Sequence, residues 1–420
     1  MRRQMLGALA LCAAVAVSAG AADAKKITLT TKSDEARKAA VEGVRMIESY
    51  QFGAPVEETA KKAIALDPEF AWAHYLLGVV TFPPPQAKPH HDKALELVKK
   101  ASPGEQAYLD AARLNREQKG PEALAAYKKL AVDYPDERMV KMMIGQLSLA
   151  QGKFDDAEQA FNQALALDGS TPRVYGMLGN VAMIRGDYKK ARGLYDQALG
   201  KRAANTAPGG VYYPMSLSYL YEGNVDQALA GLKGFLAEYK KTGQDAQFPE
   251  VFIWNSIARI NLENGRTEEA MKAYEEGFKS VPGSKLEEND KKVWLGRLHH
   301  GKGRTLARMG KHEEAWKEAE TIKKMIDEGG EEGKQYVPAY HYMAGYLKLE
   351  AGDAAGAVEH LKQADPDGDP FRKLLLARAY EKSGDKAAAK KAYSEIVAFN
   401  VNNLERALAY PEAKKRLAAL

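Results

Sequence analysis

Gly152-Lys153-Phe154-Asp155-Asp156-Ala157 is echoed 34 residues later by Gly186-Asp187-Tyr188-Lys189-Lys190-Ala191. The echo runs further in both directions. Gly145 stands before the first stretch, with Phe161 and Ala164 after it, and Gly179, Tyr195 and Ala198 hold the same places around the second. A spacing repeated at this period marks units that cannot bury an apolar face alone and so stack into an array. Each recurring residue has a local reason. Glycine accepts the left-handed backbone that ends a helix. Alanine lets two helices cross closely. The bulky residue four positions after it lies on the same helical face and fills the space between units.

The same turn recurs along the chain at Gly223-Asn224-Val225, Gly265-Arg266-Thr267, Gly310-Lys311-His312, Gly352-Asp353-Ala354 and Gly384-Asp385-Lys386. The small residue that opens each second helix recurs at Ala94, Ala123, Ala157, Ala191, Ala228, Ala270, Ala315, Ala357 and Ala389, with Val56 in that place in an earlier unit. That amounts to about ten units over residues 34–399. β-branched runs with alternating polarity are absent, so no sheet is expected. Pro68, Pro135 and Pro282 close second helices.

The spacing, and the helix ending Ala63-Ile64-Ala65-Leu66-Asp67-Pro68, resembles the tetratricopeptide repeat, a helix–turn–helix unit. The resemblance implies an all-α protein: an α-solenoid of about ten tetratricopeptide-like repeats with a C-terminal capping segment at 400–420. In that segment Leu404, Leu408, Ala413, Leu417 and Leu420 make an amphipathic stretch interrupted at Pro411. The resemblance also implies a concave groove lined by the first helix of each unit, where an extended peptide or a partner helix would dock. Mapped unit by unit, the groove candidates are Met142, Gln146, Asn180, Tyr213, Asn255, Arg259, Arg297, His300, Arg304, Tyr342, Tyr346 and Arg378. Arg259, Arg297, Arg304 and Arg378 would suit a carboxylate or an acidic peptide. The family's Lys/Asn pattern for clamping a C-terminal carboxylate is not present.

Composition agrees with a folded chain. Of 420 residues, 45% are hydrophobic and 28% charged. A net charge of +5, from 61 basic and 56 acidic residues, is too small and too dispersed to argue for nucleic acid.

The N-terminus reads as a separate object. Arg2 and Arg3 precede the apolar run Met5 to Val17, and Ala22-Asp23-Ala24 forms a small-x-small site. This is the layout of a signal peptide, residues 1–24, cleaved after Ala24. An uncleaved anchor and lipidation at Cys12 are the alternatives, although Leu11 is larger than the residue that usually precedes a lipidated Cys. Cys12 is the only cysteine, so the remaining chain can form no disulfide. Residues 25–33 are polar and are expected to be flexible. The destination implied is the periplasm or the outside of a bacterium.

Two features interrupt the repeat. Phe82-Pro83-Pro84-Pro85-Gln86-Ala87-Lys88-Pro89-His90-His91 is expected to be an extended linker between helices. The segments 200–213, 242–249, 283–292 and 327–337 stretch the anchor spacing to as much as 45 residues, and the extra residues are expected to lengthen helices.

Signatures of chemistry are missing. There is no His-Glu-x-x-His and no Gly-x-Ser-x-Gly. Gly296 to Gly303 approaches a phosphate loop but carries Gly303 where Ser or Thr must hold magnesium. His90-His91 and His299-His300 lack the further ligands of a zinc site. The reading is therefore a non-catalytic scaffold or adaptor of the cell envelope, without cofactor, binding another protein or peptide. An enzyme or enzyme subunit with loop-borne residues, with metal at His90 and His91, is the alternative. Self-association of arrays is another.

Overall fold

Ten helix pairs follow one another along the described residues. The structure is a computed structural model, and it describes residues 25–81, 84–242 and 249–420. The expected signal peptide lies outside them, as do residues 82, 83 and 243–248. The pairs are α1 (Asp34–Glu48) with α2 (Ala54–Leu66), α3 (Ala71–Val80) with α4 (Pro84–Leu97), and α5 (Pro103–Arg116) with α6 (Gly120–Asp133). Next come α7 (Arg138–Ala150) with α8 (Phe154–Leu167), α9 (Pro172–Ile184) with α10 (Tyr188–Lys201), and α11 (Gly209–Tyr221) with α12 (Val225–Thr242). The last four are α13 (Glu250–Glu263) with α14 (Thr267–Lys279), α15 (Glu288–Arg308) with α16 (His312–Glu328), α18 (Val337–Glu350) with α19 (Ala354–Lys362), and α20 (Pro370–Lys382) with α21 (Lys386–Ala398). The short α17 (Gly330–Gly333) bridges two pairs, and α22 (Leu404–Ala419) ends the chain. We number the pairs as units 1 to 10.

The glycine turn read from the sequence joins the two helices in units 4 to 10. At Gly186 φ is +79°, and the next residue, Asp187, accepts a hydrogen bond from Lys190 N at 3.0 Å. One glycine thus ends a helix and one aspartate caps the next. Gly352-Asp353 and Gly384-Asp385 repeat this device. In unit 3 Gln118 takes the left-handed place of the glycine, at φ +62°. The alanine anchors and Val56 are all buried. A Cβ placed on Gly179 would lie 2.5 Å from the Tyr195 ring, so the small residue of the first helix seats the bulky residue of the second.

First helices of neighbouring units touch one another, as in α7 with α9, α9 with α11, α13 with α15 and α18 with α20. Successive second helices do not make comparable contact among the described residues. The first helices therefore form the inner, concave layer. The long spacings lengthen α12, α15 and α16 to 18, 21 and 17 residues, as absorption into helices requires. Residues 296–303 lie inside α15, which leaves no phosphate loop there.

Three expectations need correction. Residues 25–33 are not loose but lie extended along the starts of units 4, 3 and 2. Lys25 N donates to Asp136 at 2.8 Å, Thr30 N to Glu105 at 2.7 Å, and Lys32 N to Asp67 at 2.9 Å, while Ile27 is buried. Acids at helix entries satisfy this strap, a pairing that polarity alone did not reveal. The Pro-rich stretch is helical from Pro84 on, because prolines in a first turn remove only donors that would be unpaired anyway. Pro89 sits deeper and forfeits one bond. Pro411 likewise does not interrupt α22. As expected, α22 caps unit 10. It touches α21 and α20, and it also reaches back to α11 and α13. A helix of 16 residues, about 24 Å long, reaches from unit 10 to unit 6 because the inner layer curves.

Candidate functional site

The first helices of units 6 to 10 place their inward residues around α22. Arg259, on α13, is ion-paired with Glu405 near the start of α22. Arg378, on α20, grips Glu412 through two nitrogens, with Nε at 2.8 Å from Oε1. Between these pairs, Arg406 lies over the Tyr410 ring at 4.5 Å and the Tyr221 ring at 5.3 Å. Leu404 and Ala407 enter the core of units 5 to 7, and Ala409 and Ala413 enter that of units 9 and 10. The last turn carries Arg416, paired with Glu381 at 3.3 Å.

Electrostatics favours this seating. Burial alone would raise the carboxyl of Glu405, but Arg259 overrides it and holds the group below its ordinary value. Arg378 does the same for Glu412. Both carboxyls are therefore ionised near neutrality and form charge-assisted bonds.

Beneath α22 lies a layer of cations and rings. Arg304 is 3% exposed and donates to Tyr342 at 2.9 Å and Tyr274 at 3.1 Å. Glu263 faces Arg304 at 3.6 Å and Arg308 at 2.9 Å. The His300 ring sits 4.4 Å from that of Tyr342. Burial, then Arg304, Arg372 and Arg259, push the His300 imidazole well below its ordinary value, so it is neutral. Tyr346 is fully buried, with Arg304 5.6 Å from its ring centre.

The expected groove residues thus divide. Arg259, His300, Arg304, Tyr342, Tyr346 and Arg378 come together as one cluster, but Arg304, His300, Tyr342 and Tyr346 are its buried support and present no free surface. Arg259 and Arg378 face inward yet are taken by α22. Asn180 is occupied in accepting from Tyr195 at 2.7 Å, and Tyr213 is buried against Ser256 at 3.3 Å. Met142 is buried and Gln146 half-buried, both away from this cluster. Asn255 is half-buried. Arg297 is exposed, stacks on Trp294 at 4.5 Å, and forms no ion pair among the described residues.

Sequence reasoning missed Glu405 and Glu412. Their spacing of seven puts both on one face of a helix, and that was the available signal. It also missed the other end of the array. Glu48 forms a two-armed pair with Arg138 at 2.5 and 2.6 Å, and the Tyr50 hydroxyl rests on Gly176. The turn after α1 therefore fills the inner face at units 4 and 5.

His90 and His91 lie in α4, not in a loop. Adjacent residues of a helix point about 100° apart, so the two rings do not converge on one ion. His91 packs on Gly78, and burial pulls its imidazole down to about 4.

Sequence comparison matches the tetratricopeptide repeat model TPR_16 at residues 116–172, 142–208 and 213–284, and the model TPR_6 at residues 373–399. The chain is a tetratricopeptide repeat protein. Among solved structures, it is similar to a tetratricopeptide repeat protein of Parabacteroides merdae at 16% identity and TM-score 0.49, covering 66% of this chain and 98% of that one. It is similar to PilW, a widely conserved type IV pilus biogenesis factor, at 16% identity and TM-score 0.41, covering 55% and 97%. The Cut9–Hcn1 hetero-tetramer matches at 12% identity and TM-score 0.48, covering 80% and 57%. No curated protein matches the sequence. Tetratricopeptide repeats are a fold of protein–protein interaction scaffolds, and no described helix is long and apolar enough to cross a membrane.

Proposed function

We propose that this tetratricopeptide repeat protein is a non-catalytic scaffold of the bacterial cell envelope. Its inner face at units 6 to 10 receives a helical segment of a partner protein that carries carboxylates. The observation that carries the reading is the seating of α22 by Arg259 and Arg378 through Glu405 and Glu412, beside the unpaired Arg297. Rigid first helices hold the guanidinium groups before a partner arrives, so little entropy is lost on docking. Bidentate arginine recognition supplies direction as well as attraction. Export rests on the basic, apolar and small-x-small order of residues 2–24.

A photo-crosslinking residue at Asn255, beside Arg259 in sequence and half-buried, tests this in intact cells. The expected product joins the chain to an acidic helical segment of one envelope protein, and Arg297→Glu removes it. Crosslinks that map to basic segments, or that survive Arg297→Glu unchanged, would contradict the reading.

A further inference from the structure

We propose that α22 is a built-in competitor for this groove. It closes the binding face in cis, and a partner must displace it. The partner is thereby specified as an amphipathic helix with carboxylates at positions i and i+7 and small apolar residues between them. The inference rests on the groove reading above and adds its regulation and the chemistry of its ligand.

Three observations support it. First, α22 does more than stack on unit 10 as the opening helix of a further unit would. It packs on α20 and α21 and also crosses to α11 and α13 in units 6 and 7. Second, α22 is pinned across the groove by polar contacts. Glu405 and Glu412 meet Arg259 and Arg378, and Arg406 stacks on tyrosines. Its buried apolar residues there are Leu404, Ala407, Ala409 and Ala413, with Leu408, Tyr410 and Leu417 partly buried beside them. The alanines each bury little area. Third, the contact leaves polar atoms without protein partners. Arg259 Nε, Arg406 Nε and Asn402 Oδ1 are buried and have no hydrogen-bond partner in the protein. Unpaired buried donors and acceptors weaken an interface, and a ligand that satisfies them gains over α22.

Displacement changes the charge of the site. When α22 leaves, Glu405 and Glu412 leave with it. Arg259 and Arg378 then stand beside Arg297 without those carboxylates, and the face becomes a receptor for two acids. Residues 399–403 form the link to α21, and Val401 within it is exposed.

The cost to an incoming helix is set by how often the groove is open. Apparent affinity falls by the open fraction, so a groove open 1% of the time binds about 100-fold more weakly than an unlatched one. The probe is a fluorescent synthetic peptide of residues 402–420, read by anisotropy. Three proteins are compared: the chain 25–420, the chain 25–400, and the chain 25–420 carrying E405Q and E412Q. The glutamine variant keeps the helix while removing its two charges, so it serves if the shortened chain is unstable.

The expected result is at least about 10-fold tighter binding by the shortened or the glutamine chain than by the full chain. A peptide that itself carries E405Q and E412Q should bind none of them. Equal tight binding by all three proteins overturns the latch and leaves the groove standing. Absence of binding to both altered chains, with unchanged circular dichroism, overturns the groove itself. A dimer of the full chain that disappears in the shortened chain overturns the cis arrangement in favour of exchange between copies.

Discussion

Arg259 on α13 and Glu405 on α22 stand 146 residues apart in sequence and form an ion pair on the inner face of the array. The pair joins unit 7 to the last helix of the chain. A solenoid is ordinarily held by contacts between neighbours. Here a long-range pair, with its counterpart Arg378–Glu412, ties the middle of the array to its end.

Removing one member should cost more than removing both. Arg259→Ala leaves Glu405 without its ion-pair partner, and Glu405→Gln leaves a poorly solvated guanidinium over Phe371. Each single change should cost about 2–4 kcal/mol in the stability of units 6 to 10. A paired replacement of both by leucine should recover most of that loss. A double-mutant cycle by urea unfolding, followed by hydrogen exchange of α22, measures the coupling.

The pH response has two parts. Glu405 and Glu412 ionise below their ordinary value when folded. Their contribution is therefore present above the unfolded value of about 4.3 and is lost as pH falls through the folded values. Glu405 faces Arg259 and Arg297, and Glu412 faces Arg378, Arg416 and Arg308, all charged throughout this range. The docking of α22 should accordingly be flat from pH 8 to about pH 5 and weaken below about pH 4. His300 and His91 act earlier. Both are held below the ordinary histidine value, so the unfolded chain binds protons that the folded chain refuses. Overall stability should decline as pH falls below about 6.5, and a double His91→Phe, His300→Phe variant should lose part of that slope, the rest coming from His90, His341 and His360, which burial also holds low. Thermal midpoints across pH 4 to 8 provide the comparison.

Arg297 and Arg304 should separate binding from folding. Arg297→Glu places an acid near Glu405, so it should loosen α22 while units 7 to 9 stay folded and capture of an acidic partner fails. Arg304→Glu puts a carboxylate beside Tyr342, Tyr274 and Glu263 in a buried place. That should cost more than about 4 kcal/mol and loosen units 7 to 9. Circular dichroism and proteolysis distinguish the two outcomes.

The repeat was legible because its period, its glycine turns and its alanine crossings are local and recur. Gly186-Asp187 could be read as a turn and a cap from the dipeptide alone. The candidate site was legible only as a list of inward positions, since register along a first helix sets direction. Whether Arg259 or Arg378 is open depends on where α22 lies, and nothing local to either residue encodes that. The acids at positions 405 and 412 carried the information, but their i, i+7 relation gains meaning only opposite two arginines brought near by curvature. Pro84 and Pro85 misled for a different reason. Prolines signal extended backbone unless they occupy a first turn, and the sequence does not show where a turn begins.

The strap at 25–33 makes a further prediction. Glu105 is wholly buried, burial raises its carboxyl, and one of its oxygens accepts from Thr30. Glu105→Ala should release the strap and cost about 1–3 kcal/mol. Trypsin should then cut after Lys26 and Lys32, which the intact chain protects, and timed digestion with mass spectrometry reads the difference.

The most direct test of the account measures where α22 is. The chain from residue 25 on has no cysteine, so spin labels can be placed singly at Lys324→Cys on α16 and Lys415→Cys on α22, both exposed. Electron–electron distance measurements should give one narrow distribution for the free chain. A saturating peptide of residues 402–420 should replace it by a broad one. An unchanged narrow distribution with the peptide demonstrably bound, or a broad one in the free chain, would contradict a groove closed by its own C-terminal helix.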